Sequence, residues 1–411
     1  MMDHALQIDI LTELLQQLDE GKNIDSGVQY KMSTDVYVCP EIAAQERDQF
    51  FQNHPQLIGM TGDLPEADSF FTIDDFGTPI LATRDRQGNF RAFLNACRHR
   101  GVRVASEERG KKALFVCPFH AWSYSSSGDL IAITDEDHFG ALEKSCLGLI
   151  ELPAVESGGL LWIHPQPEGS LNVDSLLGDL TSELADFNFE DYVYGGSKTI
   201  TMNLNWKLAN DTFGETYHFG KLHKNTLAKI NQGNNLHLHE FGRNHRFVTA
   251  SRAIDEMRQL PTEQWDILVG GAFILYYLFP NITLIVTAGS CILVRMYPDP
   301  ENPGRSTTQI GAYYTQEAME AAAQDQPDVE KITPDNVYEQ RQGRVQTLAG
   351  TMEVFSSTVE HEDYLMGEYQ QKSAESGLLK EVIFGRNEPP LHHFHKTFRE
   401  VLGLAPLEKI S

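Results

Sequence analysis

Apolar positions change their spacing along the chain. Residues 5–18 place Leu6, Ile10, Leu14 and Leu18 on one face of an amphipathic helix. A second helix is expected after Pro40, through Ile42 and Phe50. From about Gln56 the texture becomes that of short strands. Ser69–Ile73, Pro79–Thr83 and Asn89–Ala96 are separated by Asp-Phe-Gly and Arg-Gln-Gly turns. This small β region ends near Leu160-Leu161-Trp162-Ile163-His164, where His164 closes a strand in a structural role. A seam containing Pro and Gly, Pro165 to Ser170, follows. Strands and helices mix beyond it. Gly271–Phe279, Ile282–Val286 and Cys291–Tyr297 read as consecutive antiparallel strands joined by Pro-Asn and Gly-Ser turns. Pro298 to Gly304 is a loop, and the acidic stretch Gln316 to Pro334 reads as a solvated connection. There is no internal repeat.

With 411 residues the chain is long enough for two domains, each with its own core. Its 33 basic and 58 acidic residues give a formal charge of −25, which repels nucleic acid and anionic membrane surfaces. The most apolar run, Ile267 to Phe279, is thirteen residues long, short of the roughly twenty a spanning helix needs. No signal peptide is read at the start. Five cysteines are few for this length, and reduced thiols fit a cytoplasmic protein.

Two of those cysteines carry chemistry. Cys97-Arg98-His99-Arg100-Gly101 and Cys117-Pro118-Phe119-His120-Ala121-Trp122 each offer one thiolate and one imidazole. This set suits a Rieske 2Fe–2S cluster, in which two Cys hold one iron and two His the other. A structural Cys2His2 zinc site is the alternative, although its usual order is a Cys pair followed by a His pair. The stretch resembles the Rieske motif of the ring-hydroxylating oxygenases, including Gly101, Pro118, Trp122 and Gly128. Val102 and Phe119 stand where the respiratory Rieske proteins carry two disulfide cysteines, which makes the resemblance one to the oxygenase type.

A second constellation follows the seam: Asn205-Trp206-Lys207, then Glu215-Thr216-Tyr217-His218-Phe219-Gly220-Lys221-Leu222-His223. Histidines five apart lie about 140° apart on a regular helix. They meet one metal only if the helix ends or bends between them, and Gly220 is well placed to permit that. The segment resembles the catalytic half of the same family. The resemblance implies a mononuclear Fe(II) held by two His and one carboxylate. Carried over, these are His218, His223 and Asp363 within Glu360-His361-Glu362-Asp363-Tyr364, with Glu362 and Glu360 as rivals for the third ligand. Glu215 stands where the family usually has Asp. Its implied catalytic role is to join a cluster His of one subunit, here His120, to an iron-binding His of the next. Some members acting on quaternary amines also have Glu there. Asp211 replaces a common Asn, and its role is open.

The resemblance covers nearly the whole chain. It implies an α+β architecture: a small all-β Rieske domain at 55–165, and a catalytic domain from 1–54 and 166–411 with a twisted antiparallel sheet flanked by helices. The implied function is O2-dependent hydroxylation of an aromatic compound. The alternatives are hydroxylation or N-demethylation of a quaternary amine and, in a different class, electron transfer without oxygenase activity. Phe213, Tyr217, Phe219, Tyr276 and Tyr277 could stack a ring or surround a cation. The chain has neither a dinucleotide-binding fingerprint nor a ferredoxin cysteine run, so a separate NAD(P)H-dependent reductase, alone or with a ferredoxin, is implied. A bridge between subunits implies a ring, most simply a trimer. His237 and His239 alternate on one strand face, and the His392, His393 and His395 group is read as packing rather than metal binding.

Overall fold

The computed structural model describes residues 2–323, 330–331, 344–345 and 347–410. They form two compact units, one of residues 46–176 with 187–194, the other of 1–45, 177–186 and 195–411.

The first unit is built from short antiparallel strands. A five-stranded sheet runs in the order Glu151–Leu152, Phe90–Leu94, Ile80–Arg84, Ser69–Ile73, Arg109–Lys111. Ala154–Ser157, Leu160–Ile163 and Gln56–Met60 make a three-stranded sheet, and Leu114–Val116, Ser123–Ser125 and Leu130–Ala132 another. Alternation brings Phe70, Leu81, Phe93, Phe115 and Tyr124 into one core, which also takes in Cys97, Cys117 and Trp122. The sulfurs are therefore presented from a packed floor rather than from free loops.

The second unit is organised on a seven-stranded sheet: β1 (Val193–Met202), β2 (His237–Phe241), β3 (Asn244–Ala250), β4 (Ala272–Leu278), β5 (Ile282–Thr287), β6 (Ser290–Pro298) and β7 (Ser306–Tyr314), in the order β1-β7-β6-β5-β4-β3-β2. From β2 to β7 each strand pairs antiparallel with the next; short turns dictate this for β2–β3, β4–β5 and β5–β6, whereas residues 251–271 form a long connection from β3 to β4. β4 and β5 are buried on both faces almost throughout. Register places His245, Tyr277, Thr283 and Val294 in one row across four strands. Arg246, Tyr276 and Leu284 form the adjacent row, whose side chains leave the opposite face. There Arg246 pairs with Glu183 at 2.6 Å, and the Tyr276 hydroxyl donates to the same carboxylate at 2.6 Å.

Helix α1 (His4–Glu20) buries Gln7, Ile10, Leu11, Leu14 and Leu15, and is closed by Gly21 in a left-handed C-cap. The helix expected after Pro40 runs from Pro40 to Glu46 and continues as a wider helical turn to Gln52. The remaining site-bearing helices are α2 (Trp206–Asp211), α3 (Leu348–Thr358), α4 (Tyr364–Glu375) and α5 (Pro389–Val401). The acidic stretch starts as a helix, Gln316–Ala323, with no buried residue; most of the rest of it lies outside the described residues. Among the described residues no helix is long and apolar enough to cross a membrane.

Candidate metal centres

The two cysteine loops share one backbone design. Cys97 N–H donates to Val102 O at 2.8 Å and Gly101 N–H to Cys97 O at 2.8 Å; Cys117 N–H donates to Trp122 O at 2.8 Å and Ala121 N–H to Cys117 O at 2.9 Å. The residue four after each cysteine is left-handed, with φ 74° at Gly101 and 56° at Ala121. Glycine adopts that conformation freely, whereas alanine does so at a cost of about 1–2 kcal/mol, which the flanking hydrogen bonds must offset.

Both thiols are buried. The Tyr124 hydroxyl accepts from Arg98 N–H at 3.0 Å and lies 3.3 Å from Cys97 Sγ, which leaves its proton for the sulfur. The His99 and His120 rings are 4.6 Å apart, and the Trp122 ring stacks on His99 at 5.1 Å. Burial, then His120 and Arg100, push His99 below its ordinary pKa, which favours the neutral form a ligand needs. His120 Nδ1 is buried and has no partner among the described residues. A bare buried nitrogen costs free energy unless something binds it. Two buried sulfurs, two adjacent imidazoles and one unpartnered ring nitrogen fit a Rieske cluster.

In the second unit the Asn205 side chain caps α2, accepting from Lys207 N–H at 2.9 Å. The helix stops at Asp211, and the chain then proceeds through successive turns, with Gly214 N–H donating to Asp211 O at 3.0 Å and Leu222 N–H to His218 O at 2.8 Å. This irregular path turns two histidines five apart toward one point, with their Nε2 atoms 3.2 Å from each other. Gly220 is not left-handed, and a Cβ there would meet nothing within 4 Å, so the bend does not depend on that glycine. Asp363 comes from a widened helical turn, Val359–Asp363, between α3 and α4. Its Oδ1 is 3.0 Å from His223 Nε2 and 3.4 Å from His218 Nε2. One ligand atom from each of the three residues lies within 4.8 Å of the others, so the set could hold a metal ion.

Each histidine has a carboxylate on its far nitrogen. Glu215 Oε1 is in short contact with His218 Nδ1, and its Oε2 accepts from the Tyr217 N–H and from the His218 N–H. Glu362 Oε2 is 2.7 Å from His223 Nδ1 and accepts from the Thr226 hydroxyl at 2.8 Å. A carboxylate accepts, so both rings carry their proton on Nδ1 and leave Nε2 free as a donor to metal. Without a metal, burial pulls His218 down, but the Asp363 and Glu215 carboxylates overcome it and raise the pKa to about 10. His223 is raised by Asp363 and Glu362 against the same burial, and the two imidazoles lower Asp363 although burial opposes them. Such a cluster attracts positive charge, and a divalent cation would displace the protons.

Among the other residues singled out in the sequence, His237 pairs with Glu13 at 2.8 Å and His239 is exposed. His392, His393 and His395 are buried on α5. Asp211 accepts from the Tyr37 hydroxyl and contacts His395 Nε2, both at 2.9 Å. Of the aromatic candidates, Phe213 and Tyr277 line a small void, with room for about one water, together with Leu275, Leu391 and Phe394. Phe219 packs on the His218 and His223 rings, Tyr276 lies in the Arg246–Glu183 layer, and Tyr217 is exposed. The carboxylate partner of His223 was visible in sequence only as a rival ligand. The signal available was two adjacent acids, each able to serve the same ring.

A family model described as the ring hydroxylating alpha subunit (catalytic domain) matches residues 189–404, and a Rieske [2Fe-2S] domain model matches residues 54–147. The chain belongs to the ring-hydroxylating alpha-subunit family. As an alpha subunit of this kind it combines a 2Fe–2S domain with a mononuclear-iron catalytic domain. It is 30% identical over 196 residues to the glycine betaine monooxygenase oxygenase subunit of Chromohalobacter salexigens, covering 47% of this chain and 43% of that protein. It is 26% identical over 208 residues to the anthranilate 1,2-dioxygenase large subunit of Acinetobacter baylyi, covering 49% and 44%. The match thus spans less than half the length of these relatives. The crystal structure of a quaternary ammonium Rieske monooxygenase in complex with L-carnitine shares the fold, with a TM-score of 0.72 at 17% identity over 92% of this chain and 96% of that one.

Proposed function

We propose that this alpha subunit catalyses O2-dependent hydroxylation of a small aromatic compound, with electrons supplied by a separate NAD(P)H-dependent reductase, alone or with a ferredoxin. The observation that carries the proposal is the convergence of His218 Nε2, His223 Nε2 and Asp363 Oδ1 in a chain that also holds the two Cys/His loops. Cys97, His99, Cys117 and His120 would hold the 2Fe–2S cluster; His218, His223 and Asp363 would hold Fe(II). When bound, the cluster supplies single electrons and the mononuclear iron supplies open positions for dioxygen beside the substrate.

The chain's own residues do the positioning. Glu215 and Glu362 fix the tautomers of His218 and His223, and Asp363 faces both Nε2 atoms. Phe213 and Tyr277 add apolar aromatic surface directly after α2 and on the adjoining sheet. Glu215 is assigned the link between the metal centres of neighbouring subunits, which implies a trimeric ring; reduced thiols and an iron–sulfur cluster fit a cytoplasmic enzyme.

A second reading, oxidation of a quaternary amine, is favoured by Glu215 and by the relatives and fold neighbour named for such substrates. Electron transfer alone leaves the second constellation without purpose. The test is iron and acid-labile sulfide on anaerobically purified protein, an EPR spectrum after dithionite, and substrate-dependent O2 uptake with a surrogate reductase. About three irons and two sulfides per chain with a Rieske-type signal are expected. Zinc without sulfide would refute the proposal.

A further inference from the structure

The carboxylate of Asp211, at the end of α2, sits in a buried chain of side chains that the metal set does not use. The Tyr37 hydroxyl donates to Asp211 Oδ2, and His395 Nε2 lies against Asp211 Oδ1, both at 2.9 Å. A carboxylate only accepts, so His395 carries a proton on Nε2. Its Nδ1 is buried without a partner among the described residues, so its one hydrogen bond there is this donation. Burial, then the Asp211 charge, hold the Tyr37 hydroxyl well above its ordinary pKa and keep it a donor. Phe384 stacks on the His395 ring at 4.9 Å, which fixes the direction of the donated proton. Asp211 thus meets two fixed donors, and a carboxylate answers both. An amide there has one acceptor oxygen, and fitting it turns the Tyr37 or the His395 proton away into a buried space.

Each member belongs to a different part of the chain that frames the metal set. Tyr37 closes the short helical turn Thr34–Tyr37, and its carbonyl accepts from Asn205 Nδ2 at 3.2 Å and Gln371 Nε2 at 3.3 Å. Asn205 caps the start of α2, and its N–H donates to Gln371 Oε1 of α4 at 3.0 Å. One residue therefore ties down both ends of α2 and the helix that follows Asp363. His395 brings in α5. That helix also presses on the turn after α2, because a Cβ on Gly214 would lie 2.2 Å from the Leu391 side chain. Gly214 N–H donates to Asp211 O at 3.0 Å, and Glu215 comes next. The Asp211 carboxylate is anchored at the head of the turn whose tail carries Glu215 and His218.

We infer that Asp211 is a positioning residue for the metal set: held by Tyr37 and His395, it fixes the turn that aims Glu215 and His218. Calling the set a metal site rests on the oxygenase reading above. Its effect on a bound metal passes through Glu215 and disappears when Glu215 is removed. Position 37 offers the cleanest perturbation, since Phe deletes the hydroxyl and leaves the carbonyl contacts to Asn205 and Gln371 in place.

The test is anaerobic calorimetric titration of Co(II) into the full chain stripped of its mononuclear metal, with sulfide content confirming an intact cluster. The EPR spectrum of the bound Co(II), taken with the cluster oxidised, reads the ligand geometry directly. Tyr37→Phe and Asp211→Asn should each weaken Co(II) binding by about three- to tenfold, below the roughly 10–100-fold of a residue bonded directly to a metal ligand, and should alter the EPR spectrum in the same sense. In a Glu215→Ala background the Tyr37→Phe loss should shrink to about twofold or less, because the turn has no carboxylate left to aim. An affinity within about twofold of wild type in either single variant would overturn the inference. So would a Tyr37→Phe loss that multiplies in full with that of Glu215→Ala, which is what general loosening of the fold gives. If Asp211→Asn does not fold, Tyr37→Phe decides alone. A wild type that takes up no Co(II) overturns the oxygenase reading and this inference with it. A wild type that binds Co(II), with both single variants unchanged, overturns this inference alone.

Discussion

Replacing Glu362 with Gln isolates the contribution of a carboxylate that touches no metal. Glu362 Oε2 lies 2.7 Å from His223 Nδ1, within the range of a charge-assisted hydrogen bond, and is also held by Thr226. The amide keeps the shape and one acceptor oxygen but removes the charge. A hydrogen bond to a charged group contributes about 1.5–3 kcal/mol and a neutral one about 0.5–1.5 kcal/mol, so the loss is about 1–1.5 kcal/mol. That is about a tenfold weakening of metal binding, at the lower end of what residues hydrogen-bonded to metal ligands usually contribute. The assay is anaerobic competition for Fe(II) or Co(II) between a chelator and protein stripped of its mononuclear metal, with sulfide content confirming an intact cluster. Asp363→Asn should weaken binding more than Glu362→Gln, because Asp363 faces both Nε2 atoms directly. Glu360→Gln, two residues before Glu362 on the same turn, should leave affinity unchanged. A Glu362→Gln protein that binds metal within a factor of two of wild type would refute the reasoning. So would a loss equal to that of Asp363→Asn, since the two carboxylates would then have one role.

Gly220→Ala should leave iron content unchanged and unfolding free energy within about 0.5 kcal/mol, because the added methyl meets nothing and the backbone is not left-handed. Gly159→Ala should do the opposite: φ is 77°, and a Cβ would run into the backbone of Phe189 and Glu190, so a loss of about 2–4 kcal/mol in denaturant unfolding is expected. Acid should weaken the second unit before its carboxylates titrate. Burial, then Lys396, lowers His392 to about 4, so below its ordinary value near 6.5 the unfolded chain binds the extra proton. Stability is then complete above about pH 6.5, declines as pH falls, and levels off below about 4 after losing roughly 3 kcal/mol. Unfolding at pH 7, 5.5 and 4.5 checks this, and His392→Leu should flatten the slope.

The sequence reveals most where chemistry is local. Each Cys/His loop packs its ligands into four residues or fewer, so thiolate and imidazole announce a metal before any fold is known. The β4–β6 strands are equally plain, because unbroken apolar runs between Pro-Asn and Gly-Ser turns leave few alternatives. Tyr276 and Tyr277 show the limit. They are neighbours with the same chemistry, yet one joins the Arg246–Glu183 layer and the other lines the small void, and strand register alone decides which. Asp363 is separated from His223 by 139 intervening residues, and only the family resemblance singled it out from the acids around it. The widened turn that carries it has no compositional mark. Nor has the small void beside α2, whose lining comes from α2, α5 and strands β3 to β5.

That widened turn also explains how consecutive residues serve one ring. Neighbours on a regular helix point about 100° apart, yet Glu362 reaches Nδ1 of His223 while Asp363 reaches its Nε2. The imidazole is clamped edge to edge between two acids, and its side chain is fully buried. His218 is held differently. Its anchor, Glu215, lies on the same turn of chain, and its side chain is 19% exposed. The two histidines are therefore unequal members of the set. His223 is locked by a distant helix and the tertiary fold, whereas His218 is held by a local loop in which Thr216 and Phe219 are buried but Tyr217 and Gly220 are exposed. Any loosening of that loop would be felt first at His218 and Glu215, the pair assigned to the link between subunits.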